Sequence, residues 1–397
     1  MSRSAPHAFF SLAAVLVATS PSASAATDLI VSVNDAKLRR SIGVDSYPAN
    51  PGPDTLNLID ASSFPPRIVA TVEVATSIGG PPQCVAIAPG GRLAVVSATN
   101  HYNYREKTAI LEQELQVVDL EAKPARVVGR VDVGHHPQGL AINRAGTLLL
   151  ATTIGGTVAV LKIEGKTLTL RDQIKLSDGR LAGVSFTTDG RAALVALRDE
   201  QGIVVLDVKG DRVTTDRVRI ATGVAPYDLD ISSDGRWAVV GNVGLAGLNG
   251  SSANVGKLVG DADSITLIDV SRRPFRAVQH LTVPAIPEGV AISPDGRWIA
   301  ALAMDGSNFP ADNHGRNPVG RLVLFEIENG RAMERANVPA GESGQGLVFT
   351  ADSRHLIAQF NVERKLALYA VNGGKLRDTG TRLPVSGGPV SIRSLPR

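Results

Sequence analysis

From residue 82 onwards the chain repeats one pattern: a proline or small residue, two polar positions, an apolar-Ala-apolar run, a polar turn ending in Gly-Arg, and a second apolar run. The copies are Pro82–Ile87 with Gly91-Arg92, Pro137–Ile142 with Gly146, and Ala182–Phe186 with Asp189-Gly190-Arg191. They continue as Pro226–Ile231 with Asp234-Gly235-Arg236, Pro287–Ile292 with Asp295-Gly296-Arg297, and Gly344–Phe349 with Asp352-Ser353-Arg354. Short apolar runs bounded by turn residues predict strands, and Asp-Gly between two of them predicts a hairpin because glycine accepts the positive φ of the turn. Asp178-Gly179-Arg180 matches the turn but precedes a copy, so it reads as a loop.

The turn positions 91, 146, 190, 235, 296 and 353 are separated by 55, 44, 45, 61 and 57 residues. A unit near 45 residues with insertions is the period of a propeller blade of four antiparallel strands. A third strand follows each copy: Val117–Asp119, Val158–Val160, Val204–Asp207, Leu267–Asp269, Val323–Phe325 and Leu366–Leu368. Leu56–Asp60 supplies a seventh without an inner strand of its own, while Gly388–Ile392 is an inner strand without a blade. Joined with Leu29–Val33, Leu56–Ile59 and Ile68–Val74 it completes a seventh blade from both chain ends. The predicted fold is an all-β, seven-bladed β-propeller closed in this way, which leaves no long exposed strand edge.

Composition narrows the function. With 43% hydrophobic residues and a net charge of +3 over 397 residues, the chain has ample core material, which excludes disorder. Acidic residues accompany basic ones along most of the chain and only 4% of residues are aromatic, so nucleic-acid binding is not expected. Cys84 has no partner for an internal disulfide and, within Gln83-Cys84-Val85-Ala86-Ile87, reads as a small buried hydrophobe. Residues 1–25 carry Arg3, an apolar stretch Ala8–Ala18 and Ala23-Ser24-Ala25, the pattern of a cleaved signal peptide. The expected product is one propeller domain over residues 26–397, monomeric, exported to the periplasm or beyond, with no membrane span once the leader is removed.

The phrases Pro287-Glu288-Gly289-Val290-Ala291-Ile292-Ser293-Pro294-Asp295-Gly296-Arg297 and Ile265-Thr266-Leu267-Ile268-Asp269-Val270 resemble the repeat of the exported YVTN/YncE-type seven-bladed propellers, neighbours of the lactonase-type propellers. The resemblance covers nearly all of the mature chain. It implies the fold and leaves the activity open, since propellers host enzymes, binders and scaffolds alike.

The extra residues of the long copies all fall between the second and third strands, at 34–54, 100–114, 241–263 and 304–320. They belong to blades 7, 1, 4 and 5 and share the face opposite the Gly-Arg turns, so two facing pairs of loops are expected to wall a cleft. The same face carries the starts of the inner strands, which supply Gln83, His135, His136, Gln138, Tyr227, Asp228, Glu288 and Gln345 at the channel mouth. Convergent polar groups in a concavity define a candidate ligand site. Loop residues His101, Tyr102, Arg105, Asn242, Asp305 and Asn308 extend it. Asp305, Asn308, Asp312, Asn313 and His314 match no calcium-loop spacing and read as a structural turn cluster. No cofactor motif is present. Binding of a small molecule or protein partner at this face is the first expectation. A lactonase, which the position of His135-His136 before Pro137 resembles, is the alternative, with Glu288 as general base and His136 and Arg198 as electrostatic partners.

Overall fold

A computed structural model describes Met1 and residues 28–248 and 263–396. The expected signal peptide, apart from Met1, and most of the blade 4 insertion lie outside the described residues. The chain forms seven four-stranded antiparallel sheets arranged as a propeller. The innermost strands of blades 1 to 7 are Val85–Ile87, Pro137–Ile142, Val184–Phe186, Pro226–Ile231, Pro287–Ile292, Gly344–Phe349 and Gly388–Ser394. Blade 3 departs slightly, its outermost position being shared by Arg212–Thr214 and Arg219–Ile220.

Blade 7 is assembled from the two ends of the chain. Gly388–Ser394 pairs with Leu29–Asp35 in the register Ile30↔Ser394, Ser32↔Ile392 and Val33↔Ser391. Leu29–Asp35 then pairs outward with Thr55–Asp60, and that strand with Arg67–Glu73.

Second and third strands are apolar at nearly every position because both faces of each blade are covered by neighbouring blades. Within blade 7, Ile30 packs toward blade 6 with Val348, Ile357 and Leu368, whereas Val31 packs toward blade 1 with Val85, Ala94 and Val96. Period-2 alternation thus sends successive side chains into two different cores. The outermost strands meet water and alternate, as in Arg276–Val283.

The Gly-Arg turns share one construction. In Thr187–Arg191 the Gly190 amide donates to the Thr187 carbonyl at 2.8 Å, and Asp189 Oδ1 accepts from Thr187 Oγ1 and the Arg191 amide. Gly190 has φ +69°, and Ser353 takes the same left-handed conformation at φ +59° in the copy that lacks glycine. These turns fix one face of the disc; the described parts of the four insertions rise from the other.

The central channel is plugged at mid-height. Gln83 of blade 1 reaches across it: Nε2 donates to the carbonyls of Val184 at 3.0 Å and Leu229 at 2.9 Å, and Oε1 accepts from the Val184 amide at 3.1 Å. Asp228 of blade 4 pairs with Arg393 of blade 7 at 2.8 Å and accepts from the Val290 amide of blade 5 at 2.9 Å. Beneath this plug, open toward the turn face, lies a cavity of about 240 Å³ lined by Ile87, Ile142, Phe186, Asp230, Ile292 and Leu395 among others.

Gln83→Ala should lower the unfolding free energy by about 2–3 kcal/mol in urea melts, since it removes three cross-channel hydrogen bonds. Deleting residues 388–397 should be far more damaging, opening the ring and markedly lowering the melting temperature; a truncation that melts like the full chain would refute the closure.

Candidate ligand site at the channel mouth

Above the plug, five side chains from five parts of the ring converge. Tyr227 begins the inner strand of blade 4, is 7% exposed, and lies between two guanidinium groups: Arg180 at 5.6 Å and Arg198 at 5.8 Å from its ring centroid. Cations over an aromatic face are attracted by the ring quadrupole. Arg180 comes from the connection between blades 2 and 3 and donates through Nη2 to the Gly79 carbonyl at 2.7 Å and to Tyr227 Oη at 3.3 Å. Its Nε is buried without a hydrogen-bond partner. Arg198, from the short top connection of blade 3, donates through Nη1 to Asp199 at 2.7 Å. Arg40 rises from the blade 7 insertion and is held by Asp45 through Nε at 2.7 Å and Nη2 at 2.9 Å.

Glu288, at the start of the inner strand of blade 5, is the carboxylate this group surrounds. Burial pushes its pKa up to about 7, against the opposing pull of Arg40, Arg198 and Arg180 and with a smaller upward push from Asp228. It makes no hydrogen bond or ion pair with a described side chain. A carboxyl poised near neutrality among guanidiniums has the protonation behaviour of a general base and acid. Tyr227 is pushed up to about 12 by the same burial and stays a neutral phenol.

His136 lies 4% exposed at the same edge, its Nδ1 2.9 Å from the Glu112 carbonyl. A carbonyl only accepts, so Nδ1 carries the proton and Nε2 keeps its lone pair. Burial lowers the His136 pKa and Arg180 lowers it further, keeping the ring neutral at pH 7.

The other sequence-predicted positions separate from this group. Gln83 and Asp228 belong to the plug. Gln138 and Gln345 are buried, and each donates only to the carbonyl preceding it, at 3.3 and 3.4 Å. Asn242 ties two strands of blade 4 together through Ser264 and Thr266. His135 is exposed against Gly155. On the outer rim, His101 faces Glu112 at 2.9 Å and Arg105 is exposed. Tyr102 stacks on Tyr47 at 3.7 Å. Asp305 is half-buried, its pKa raised by burial, and the Asn308 Oδ1 is buried without a partner; both lie in the blade 5 insertion. Asp312 and His314 are exposed, and among the described residues no three His, Cys, Asp or Glu side chains converge. Cys84 donates its thiol to the Pro81 carbonyl, and burial pushes its pKa up to about 12, so it is an inert core group.

Arg180 and Arg40 were not among the predicted residues. Arg180 sits in the Asp-Gly-Arg segment that reads as a loop, and that is where the structure places it. Arg40 lies in a twenty-residue insertion with no periodic signal.

The insertions do not stand as two separate walls. The blade 7 insertion meets blade 1 through Tyr47 and Tyr102, and Tyr104 donates to the Pro48 carbonyl at 2.8 Å. At its other end Gly43 lies so close to blade 5 that a Cβ there would fall 2.3 Å from the Phe309 carbonyl carbon. Phe309 packs in turn with Val243 and Ala246 of the blade 4 insertion. The described parts of the insertions thus form a continuous arch over blades 4, 5, 7 and 1.

No family model matches this chain, and no curated protein matches it. Solved structures do. A candidate 6-phosphogluconolactonase from Bacteroides fragilis superimposes with a TM-score of 0.68 at 14% identity, over 94% of this chain and 99% of that one. The periplasmic gluconolactonase of Pseudomonas aeruginosa gives 0.63 at 16% identity, over 93% and 98%. The hydrazine synthase of Kuenenia stuttgartiensis gives 0.55 at 19% identity, over 75% and 78%. At these identities the likeness is one of fold. The chain is a seven-bladed propeller with lactonase-like structural neighbours.

The Glu288 shift has a consequence for stability. The folded pKa of about 7 lies above the ordinary 4.5, so the fold favours the protonated carboxyl. That stabilisation is complete below the unfolded value and is lost as pH rises through the folded one. Glu288→Gln should therefore be more stable than wild type at pH 8.5, by an amount on the order of 2 kcal/mol, with the gap closing toward pH 4. A pH-independent difference in denaturant melts would contradict the assignment.

Proposed function

We propose that the channel mouth binds a small carbonyl compound rich in hydroxyl or anionic groups, and that the reaction it suits best is hydrolysis of a lactone. The observation that carries this reading is Glu288: a carboxyl with a pKa of about 7, without a side-chain hydrogen bond among the described residues, in a recess bordered by Arg180, Arg198, Arg40 and the neutral Tyr227. In this scheme ionised Glu288 takes a proton from water as the water oxygen attacks the lactone carbonyl. The guanidiniums stabilise the oxyanion that forms. The tetrahedral intermediate then expels the ring oxygen, which receives the proton from Glu288, and the product is an open-chain hydroxy acid. His136, neutral with an Nε2 lone pair, accepts a hydrogen bond from a ligand hydroxyl. The gluconolactonase name of one structural neighbour supports the reaction class, and its periplasmic setting agrees with the export that the leader sequence predicts.

A second reading, capture of a protein partner by the same face, is favoured by the exposure of Ile42, Val44, Ile110 and Leu111 on the two inserted hairpins.

Acid release from glucono-1,5-lactone, followed by pH-stat with the uncatalysed rate subtracted, separates the readings. Wild type should accelerate hydrolysis with a rate that rises through pH 7 as Glu288 ionises. Glu288→Gln should lose about 100-fold or more in kcat/KM, a typical general-base contribution, and Arg198→Gln should raise KM. Absence of acceleration by wild type would rule out gluconolactone hydrolysis and favour the partner reading.

A further inference from the structure

The blade 7 insertion is anchored from three directions. At its root, buried Lys37 bridges Asp35 at 3.2 Å and Asp54 at 2.5 Å and also donates to the Thr76 carbonyl, clasping both ends of the insertion. Asp54 adds bonds from the amides of Ala36 at 2.8 Å and Thr76 at 3.2 Å. On one flank the Tyr47–Tyr102 stack and the Tyr104–Pro48 hydrogen bond tie it to blade 1. On the other, the hairpin Arg39–Ser41/Val44–Ser46 turns at Ile42-Gly43 directly against Phe309 and Pro310 of blade 5. Phe309 packs on Ile286, whose carbonyl accepts from the Met304 amide at 2.9 Å, and Ile286 is two residues ahead of Glu288. An insertion that merely decorated the rim would need none of these contacts across the ring. Alternation along Arg39–Ser41 leaves Arg39 exposed and turns Arg40 inward, where its side chain is 17% exposed.

We propose that this hairpin is the roof of the ligand site and that Arg40 is its positioning residue, holding Glu288 and the bound ligand from the rim opposite Arg180 and Arg198. The inference rests on the small-molecule reading given above and adds to it the residue that closes the blade 7 side of the site. Asp45 fixes the guanidinium bidentately, so Arg40 does not need to reorganise when ligand arrives. The charged and titratable groups acting on Glu288 are Arg40 from the hairpin, Arg198 from blade 3, Arg180 from the connection before blade 3, and Asp228 from blade 4, while Tyr227 borders it. Asp45 and Glu342 act on Arg40 in turn.

The test uses the full mature chain labelled with δ-13C glutamate, the Glu288 carboxyl signal being assigned by its loss in Glu288→Gln. Arg40→Gln should raise the Glu288 titration midpoint by roughly half to one pH unit, because an opposing cation has been removed. Arg39→Gln, which deletes the same charge from the exposed side of the same hairpin, should leave it unchanged. Gly43→Val, which props the hairpin off Phe309 without touching any charge, should move the midpoint in the same direction as Arg40→Gln. Equal midpoints in wild type and Arg40→Gln, or equal shifts from Arg39→Gln and Arg40→Gln, would overturn the proposal. Gluconate binding, measured by calorimetry, should weaken about 10-fold in Arg40→Gln. If gluconate does not bind wild type, the ligand reading fails by itself and the titration still decides the role of the hairpin.

Discussion

Everything in this molecule depends on the antiparallel pairing of Leu29–Asp35 with Gly388–Ser394. A propeller blade buries both faces, so a ring with one blade lacking its inner strand would expose the flanks of two neighbours and the edge of a third strand. The C-terminal strand closes that gap and also carries Arg393 into the channel to meet Asp228 on the opposite side. Ser391 Oγ donates to the Pro82 carbonyl, and Gln359 of blade 6 donates to the Ser391 carbonyl at 2.9 Å. The closing strand is therefore sewn to blades 1, 4 and 6 as well as to its own sheet. The two ends of the chain become one element, and the spacing of every group around the mouth follows from that closure.

A closed ring lets polar residues take two different positions on the same strands. Those at mid-channel are spent on one another and on backbone amides, as in Gln83, Asp228 and Asp230, which accepts from the Ile292 amide at 2.9 Å. Glu288 instead faces the mouth, half-buried and with no hydrogen bond or ion pair to a described side chain. The plug separates the mouth from the cavity on the turn face. That cavity is well formed, but its carboxylate is engaged by the backbone, whereas Glu288 is surrounded by cations at a distance and bonded to none. Unspent polar capacity, rather than cavity size, makes the mouth the candidate ligand site.

The arch of insertions gives that mouth an asymmetry. Arginines reach it from the blade 7 hairpin, from blade 3 and from the connection preceding blade 3, and Arg40 is far in sequence from the other two. Their shared effect on Glu288 exists only in the folded ring. A carboxyl beside three guanidiniums is still raised in pKa because the loss of water outweighs the attraction of cations that do not touch it.

The sequence alone determined the blades, their number and the closure by both chain ends, because each copy repeats the same apolar alternation and the same turn chemistry. Those are local signals with short physical range: a glycine or serine at positive φ, an Asp capping two donors, and a two-residue side-chain period. It also located the face that bears the insertions and named Glu288, Arg198, Tyr227 and His136, which the fold brings to the channel mouth. It could not tell Gln83 and Asp228, which hold the ring together, from Glu288, which makes no hydrogen bond with a described side chain, since all three are polar residues within two positions of the proline that opens the inner strand. Nor did it reveal Arg40 and Arg180. Their place at the mouth is set by where a hairpin tip meets Phe309 and by how a connecting loop crosses Tyr227, contacts between segments tens to hundreds of residues apart. Periodicity carries no information about such meetings, and only the tertiary structure decided them.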